Sequence, residues 1–244
     1  MKPFLILETG TPIAALRRHG GFGHWIRVAA GLHGRQVRSC FVADGEPLPG
    51  ADEYAGVLVT GSGAMVTDRS DWSERSADWL RDAAHAGLPL FGICYGHQLL
   101  AHALGGSVGY NPRGREMGTV PVATLADASA DPLFAGLGEQ FAAHTTHLQS
   151  VLALPPQATV LANSERDDCQ AFRWGEAAWG VQFHPEFSTR LMSGYIQARS
   201  DALATEGTCH RGLLRDVRPA PNARRVLKRF IHVAHQRARH RSQA

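Results

Sequence analysis

The sequence predicts an α/β fold, a doubly wound, mostly parallel sheet flanked by helices. Short apolar runs of strand length alternate with segments of helical period, as they do in parallel sheets with crossover helices. The most complete unit covers residues 88–105, where a buried strand, a sharp turn and a helix follow one another. Sheets of this kind place their sites beyond the carboxyl ends of the strands. Functional residues are therefore expected where the strands end.

The other elements are predicted from hydrophobic runs, helical spacing and turn residues. Further strands are expected at 4–7, 37–42, 54–60, 159–163, 169–174 and 178–183. Helices are expected at about 24–33, 70–86, 188–205 and 222–239, where apolar side chains recur on one face. Loops are expected at 9–23 and 207–221. Residues 106–125 are expected to form a hairpin with a turn at 111–114, and residues 131–137 one helical turn.

Length and composition indicate one large domain. The chain has 244 residues, and we expect the domain at residues 1–205, with a C-terminal loop and basic helix at residues 206–244 packed on it. A hydrophobic content of 44% is ample for a core, and a net charge of +3 does not by itself indicate a nucleic-acid partner. Neither a membrane-spanning run nor a signal-peptide pattern is visible. A cytoplasmic protein without membrane association is expected.

Cys94 is the candidate reactive residue. The four cysteines lack CxxC pairing and metal-ligand spacing, which favours free thiols in a reducing compartment. Only Cys94 stands at a strand-to-helix junction. Gly92 and Gly96 on either side allow a tight turn and leave room around the sulfur, and a helix N-terminus favours the thiolate. The alternative is a small buried hydrophobe, which is what many free cysteines are.

A second stretch, far downstream, favours a reactive Cys94. Residues 92–98 read Gly-Ile-Cys-Tyr-Gly-His-Gln, residues 182–186 read Gln-Phe-His-Pro-Glu, and His184 follows Cys94 by 90 residues. These motifs and their spacing resemble the class I, triad-type glutamine amidotransferase family over about residues 4–195. The chain is most similar to stand-alone domains that resemble the amidotransferase half of GMP synthase. The resemblance implies the flavodoxin-like fold of that family.

The resemblance also implies catalytic roles for the matching residues. Cys94 would attack the side-chain amide carbonyl of glutamine, and His184 would take the thiol proton and return it to the departing ammonia. Glu186 would hold the imidazole in the required tautomer, as the third member of a triad. The backbone N–H groups of Gly61 and Tyr95 would form the oxyanion hole.

Three residues are expected to bind the substrate. Gln98 resembles the family residue that contacts glutamine, with an ordinary helix-surface glutamine as the alternative. His147 and Leu148 align with a segment that lines the glutamine pocket, and Gln149 replaces an aspartate that is common there. His144 and His147 also suggest a metal, but no third ligand has convincing spacing. Neither a metal nor a cofactor is expected.

The expected function is hydrolysis, through a thioester, of the γ-glutamyl amide of glutamine or of another γ-glutamyl small molecule. One alternative is an ammonia-supplying glutaminase subunit of a two-chain synthetase, which would have a synthetase partner. The second is a catalytically silent binding or regulatory protein. Gly61-Ser62-Gly63 lacks a proline that would stiffen the loop, which favours the hydrolase. The basic face of the final helix is expected to be solvated, with nucleic acid or an acidic partner as the alternative.

Overall fold

The computed structural model describes residues 2–241, which form two sheets and seven α-helices. The strands are β1 (Phe4–Leu7), β2 (Val37–Cys40), β3 (Gly56–Val59), β4 (Leu90–Ile93), β5 (Ser107–Tyr110), β6 (Glu116–Thr124), β7 (Gln140–His147), β8 (Gln149–Ala153), β9 (Ala158–Asn163), β10 (Ala171–Trp174) and β11 (Ala178–Val181). The helices are α1 (Phe22–Ala30), α2 (Asp71–His85), α3 (Tyr95–Ala103), α4 (Thr189–Ala198), α5 (Ser200–Thr205), α6 (His210–Asp216) and α7 (Pro221–Arg241).

The large sheet is mixed and has nine strands in the order β2-β1-β3-β4-β11-β10-β9-β6-β7. Neighbours from β2 to β11 are parallel. Neighbours beyond β11 are antiparallel. A separate antiparallel pair is formed by β5 and β8. The predicted fold class is confirmed, and β4, which leads to Cys94, lies inside the parallel part between β3 and β11.

Both faces of the parallel part are buried. Side chains of a strand point alternately to opposite faces, so Phe4 and Ile6 of β1 join a core with α1 and α7. Leu5 and Leu7 join a second core with α2 and α3. Each fully buried large apolar side chain contributes about 1.5–3 kcal/mol. Helices on both faces thus hold the strand ends that carry Cys94 in a fixed register.

Helix α7 packs on the sheet by the apolar stripe that its sequence predicts. The ring centroid of Phe230 is 5.1 Å from that of Phe91 and 6.2 Å from that of Trp179. Other members of the stripe are also buried, namely Val226, Leu227, Ile231 and Ala234. Arg225 and Lys228 are exposed. The basic residues of this helix are therefore only partly solvated, because the half-buried Arg229 donates to the Leu133 and Ala135 carbonyls.

The hairpin predicted over residues 106–125 is wrong. Its turn is present, closed by a hydrogen bond from the Gly114 N–H to the Asn111 carbonyl (2.9 Å). The strands on either side of the turn, however, pair elsewhere: β5 with β8, and β6 with β7 and β9. An alternating pattern specifies which face of a strand is buried but leaves its partner open. The turn therefore joins two different sheets.

The single helix predicted at 188–205 and the loop predicted at 207–221 are also wrong. The helix is interrupted at Arg199 (φ −108°, ψ 14°), between α4 and α5, without an adjoining proline or glycine. The loop contains α6, a helix too short to be stable alone. Leu213 and Leu214 of α6 pack against the apolar cluster under α4. Its stability comes from these contacts, which its local sequence does not reveal.

The other predicted elements are present with shifted ends. Helix α1 starts at Phe22 and is ended by Gly31, which has a φ of +75°. Residues 131–137 form hydrogen-bonded turns, with the Ala135 N–H donating to the Asp131 carbonyl at 2.9 Å. No helix within residues 2–241 has the length and apolar character needed to cross a membrane.

Candidate active site

Cys94 lies in a sharp turn between β4 and α3. Its φ of +52° and ψ of −103° are in a region where any residue other than glycine is strained. The Cys94 N–H donates to the Val181 carbonyl at 2.9 Å, and the Gln98 N–H donates to the Cys94 carbonyl at 3.0 Å. The strained turn is thus fixed by β11 on one side and by the first turn of α3 on the other.

Gly92 and Gly96 allow α3 to approach the sheet. A Cβ atom on Gly96 would lie 2.6 Å from the carbonyl oxygen of Val59, and one on Gly92 would lie 2.3 Å from the carbonyl oxygen of Gly96. Both distances are far below ordinary contact. The expected reason for these glycines, room around the sulfur, is therefore incomplete: the space they leave is filled by backbone of β3 and α3.

His184 and Glu186 form a buried pair just after β11. The Nδ1 atom of His184 is 2.8 Å from Oε1 of Glu186, and the His184 N–H donates to the His144 carbonyl at 2.8 Å. The Phe187 ring stacks on the imidazole, with centroids 4.1 Å apart and planes at 18°. These contacts fix the plane of the imidazole. The Nε2 atom of His184 is buried and has no hydrogen-bond partner.

Cys94 and His184 stabilise each other in their charged forms. Burial raises the pKa of the Cys94 thiol, but the positive charge of His184 outweighs burial and the pKa lies below its ordinary value. Burial lowers the pKa of His184, but the negative charges of Glu186 and Cys94 outweigh burial and raise it to about 10. Both directions favour a thiolate on Cys94 and an imidazolium on His184.

Gly61 adjoins this pair at the end of β3. A Cβ atom on Gly61 would lie 3.1 Å from Cε1 of His184 and 3.8 Å from Cβ of Cys94. Tyr95 follows Cys94 directly, and its hydroxyl is 2.7 Å from Oγ of Ser73. The structure thus brings both predicted oxyanion residues next to Cys94, and their role as donors remains a prediction.

Gln98 and His147 are held mainly by the protein itself. The Nε2 atom of Gln98 donates to the Gln149 carbonyl (2.7 Å) and to Oε1 of Gln182 (2.9 Å). The ring nitrogens of His147 are each 3.0 Å from an acceptor, the Gln149 carbonyl and Oε2 of Glu116. The Gln98 amide nitrogen and the His147 ring therefore have no free donor for a ligand, and their substrate-binding roles stay predictions.

Burial lowers the pKa of His147, but the hydrogen bond and negative charge of Glu116, together with Asp167, outweigh burial and raise it. This direction, and the two acceptor atoms that face its ring nitrogens, favour the protonated form of His147. Its positive charge also lowers the pKa of the Cys94 thiol. Both ring nitrogens are occupied, and no cluster of His, Cys, Asp and Glu within residues 2–241 has the arrangement of a metal site.

Gln149 connects β8 to the loop after β3. Its Oε1 accepts a hydrogen bond from the Val66 N–H (3.1 Å), and its Nε2 donates to Oγ1 of Thr67. A neutral amide satisfies a donor and an acceptor at once, which the aspartate common at this position in the family would not do. Gln149 therefore fixes the loop that borders the site.

The cavity at this site has two lobes, and the two lobes meet at Cys94. The His184 lobe is lined by Thr11, Ile13, Phe22, His184, Tyr195 and Arg199. The Gln98 lobe is lined by Met65, Gln98, Arg115, His147, Leu148, Gln149 and Arg199. Ser62, Gly63, Cys94 and Thr146 border both lobes. All the predicted site residues except Gly61 and Glu186 line this cavity, and those two adjoin the Cys94–His184 pair behind its wall.

Sequence reasoning missed several lining residues. Arg199 interrupts a predicted helix, and Arg115 directly precedes β6. Ile13 and Phe22 come from the segment predicted as a loop after β1. None of the four stands in a motif, because each reaches the cavity through the tertiary fold. The only signal available was the position of residues 9–23 at the carboxyl end of a strand.

Known proteins resemble this chain in sequence and in fold. The sequence model of the family described as glutamine amidotransferase class-I matches residues 36–200. The chain belongs to this family. This match confirms the family resemblance that the two motifs indicate.

Its relatives include proteins with different printed activities. Gamma-glutamyl peptidase 5 from Arabidopsis thaliana is 28% identical over 193 residues, which are 77% of this chain and 76% of the relative. A glutamine-hydrolyzing GMP synthase from Aeropyrum pernix is 38% identical over 143 residues, which are 58% of this amidotransferase homologue but only 25% of the synthase. A crystal structure of a glutamine amidotransferase from Thermotoga maritima has the same fold, with a TM-score of 0.73, 23% identity and 98% coverage of both chains.

Proposed function

We propose that the protein hydrolyses the γ-glutamyl amide bond of glutamine or of a γ-glutamyl compound through a thioester on Cys94. The observation that carries the proposal is geometric: Cys94 and His184 line one lobe of the cavity, and Oε1 of Glu186 lies 2.8 Å from Nδ1 of His184. An amide is a poor electrophile, so its cleavage needs an activated nucleophile and an acid for the leaving nitrogen. A Cys94 thiolate and a protonated His184, which the pKa directions favour, would supply both.

In the first half of the reaction, the Cys94 thiolate attacks the amide carbonyl carbon and a tetrahedral oxyanion forms. Donors at the Gly61 and Tyr95 N–H groups would stabilise that charge. The carbon–nitrogen bond then breaks as His184 gives its Nε2 proton to the leaving amine. Glu186, hydrogen-bonded to Nδ1, keeps the imidazole oriented throughout.

In the second half, a water molecule attacks the thioester and gives a proton to the now neutral His184. The carbon–sulfur bond breaks, glutamate leaves, and the thiolate–imidazolium pair is restored. The Gln98 lobe would hold the γ-glutamyl group, with Leu148 on its wall. The family's relatives support this class of substrate, because they include a γ-glutamyl peptidase and a glutamine-hydrolyzing synthase.

The test is steady-state release of glutamate by the purified full chain from glutamine and from γ-glutamyl-alanine. We expect Cys94→Ala to reduce turnover by at least about 10³-fold, because it removes the nucleophile. Cys209→Ala is the matched control, since this thiol is exposed and free, and we expect it to retain wild-type turnover. Undiminished activity in Cys94→Ala would contradict the proposal.

The ammonia-supplying subunit is the second candidate, favoured by the similarity to one quarter of a GMP synthase. Such a subunit would release little glutamate alone and would become active when mixed with a synthetase partner. A hydrolase works without a partner. Turnover of the isolated chain therefore distinguishes the two, and a chain inactive under both conditions would leave the regulatory alternative.

A further inference from the structure

Arg199 occupies an unusual place in the cavity. It ends α4 and interrupts the helical path, and its side chain lines both lobes next to Cys94. Its Nε atom is buried without a hydrogen-bond partner, and Arg199 forms no salt bridge with any residue in the range 2–241. Arg199 as a whole is half-buried, and a guanidinium partly withdrawn from water is stabilised by a hydrogen-bonded anion.

Arg115, on the wall of the Gln98 lobe, shows how such an anion is bound. Its Nε and Nη2 atoms donate side-on to the Glu206 carboxylate at 2.9–3.1 Å. Arg115 is thereby neutralised by this chain, whereas Arg199 is not. In Arg199, the Nε atom of the corresponding side of the guanidinium has no hydrogen-bond partner.

The charge of Arg199 acts directly at the site. Burial lowers the pKa of Arg199, and the nearby charge of Arg115 lowers it further, while the Cys94 thiolate raises it. An arginine nevertheless stays protonated at neutral pH. Arg199 is therefore a cation within electrostatic reach of Tyr195, Cys94 and Glu206, but it forms no salt bridge of its own within residues 2–241.

The chemistry of the reaction indicates which anion this is. His184 gives its proton to the leaving amine, so the leaving group lies in the His184 lobe. The other residues that line this lobe are uncharged: Ile13, Phe22 and Tyr195, together with Thr11, Ser62, Gly63 and Thr146. Arg199 is its only charged side chain apart from the Cys94–His184 pair. In an amino-acid leaving group, the carboxylate is two bonds from the leaving nitrogen and so must lie near that pair.

We propose that Arg199 binds the carboxylate of an amino-acid leaving group and makes γ-glutamyl amino acids, rather than glutamine, the preferred substrates. The inference rests on the proposed hydrolase function and specifies its substrate class. Ammonia leaves no group for Arg199 to contact, so glutamine gains nothing from this residue. Arg199 is a specificity-determining residue and takes no part in bond cleavage.

The test compares γ-glutamyl-alanine with γ-glutamyl-alaninamide, which differ in the leaving-group carboxylate. Hydrogen bonds to charged groups change affinities by about 10- to 100-fold. We expect wild-type kcat/KM to favour the acid by this factor and Arg199→Met to abolish the preference. The alaninamide and glutamine, which have no leaving-group carboxylate, should lose much less kcat/KM than the acid. Arg199→Lys should restore part of the preference, and Arg190→Met, at an exposed arginine on α4, should match wild type.

Two results would overturn the inference. One is an undiminished preference for the acid in Arg199→Met. The other is an equal loss on all three substrates, which would mean that Arg199 binds the α-carboxylate of the γ-glutamyl group or supports the fold.

Calorimetric binding of γ-glutamyl-alanine to Cys94→Ala, with and without Arg199→Met, tests the contact without catalysis. We expect the second substitution to weaken binding by the same factor, and equal affinities would again overturn the inference. If wild type released no glutamate while this difference persisted, the hydrolase proposal would fail and the carboxylate site would stand.

Discussion

Replacing Gly96 by alanine tests whether the turn at Cys94 depends on close backbone packing. The added Cβ would meet three atoms of Val59, at 2.6, 2.8 and 2.9 Å, two of them backbone atoms. Distances below 3.0 Å require a shift, and neither the strand β3 nor the first turn of α3 has free space to move into. Gly212 in α6 is a matched control, because a Cβ there would meet nothing closer than 4.0 Å.

The two substitutions should change stability in opposite directions. In a helix without steric conflict, Gly→Ala stabilises by about 0.5–1 kcal/mol. At Gly212 we expect that gain alone. At Gly96 overpacking costs about 1–3 kcal/mol or more, so a net loss of about 1–2 kcal/mol is expected. For a domain of this size each kcal/mol moves Tm by about 2–4 °C, and the two variants should melt about 3–12 °C apart.

The measurement is thermal unfolding followed by circular dichroism, with urea midpoints as a second probe. The rate of Cys94 alkylation is recorded in parallel, because a displaced α3 also displaces the thiol from His184. The reasoning is refuted if Gly96→Ala is as stable as Gly212→Ala, since α3 would then not rest on β3 as described.

Two further predictions concern protons. Iodoacetamide should label Cys94 with a pH midpoint below the ordinary value of a thiol. Glu186→Gln should raise that midpoint, because it removes the largest charge that keeps His184 protonated and the lost effect of His184 on the Cys94 pKa exceeds the direct effect of Glu186, which raises that pKa; an unshifted midpoint would contradict the ion pair. Burial lowers the pKa of His97 to about 3, so below about pH 6.5 only the unfolded state gains its proton. The free energy of unfolding should therefore fall by about 1.4 kcal/mol per pH unit between about pH 6 and 4 on account of this residue. Urea unfolding of His97→Asn at several pH values should show a free energy of unfolding that depends less steeply on pH. An unchanged pH dependence would refute this prediction.

The parallel half of the fold could be predicted because its signals are local. Each central strand is a short apolar run, and each crossover helix carries an apolar stripe, as at Trp25 and Ile26 in α1. The antiparallel extension could not be predicted in the same way. Its strands alternate in polarity, and β6 pairs with β7 and β9 across intervals that no local pattern specifies. Helix α6 depends on tertiary contacts for its existence.

The site residues that stand in the two sequence motifs could be predicted for a related reason. Cys94 and His184 stand at the ends of neighbouring strands, β4 and β11, whose parallel pairing brings their carboxyl ends together. Glu186 follows two residues later. The rest of the cavity depends on how separate elements pack, and Arg199 illustrates this. Its sequence context is an ordinary amphipathic helix, and only the interrupted path turns its side chain towards Cys94.

The two sides of the cavity differ in how freely they can evolve. Cys94 and His184 follow strands paired on both sides in the sheet interior, where one substitution disturbs several neighbours at once. Arg199 and Glu206 follow α4 and α5, and Glu206 lies beyond residue 200, where the family match ends. Mutations in this short peripheral segment leave the nucleophile in place. On the proposed role of Arg199, substitutions in this segment would change the preference for leaving groups without moving the strands that carry Cys94 and His184.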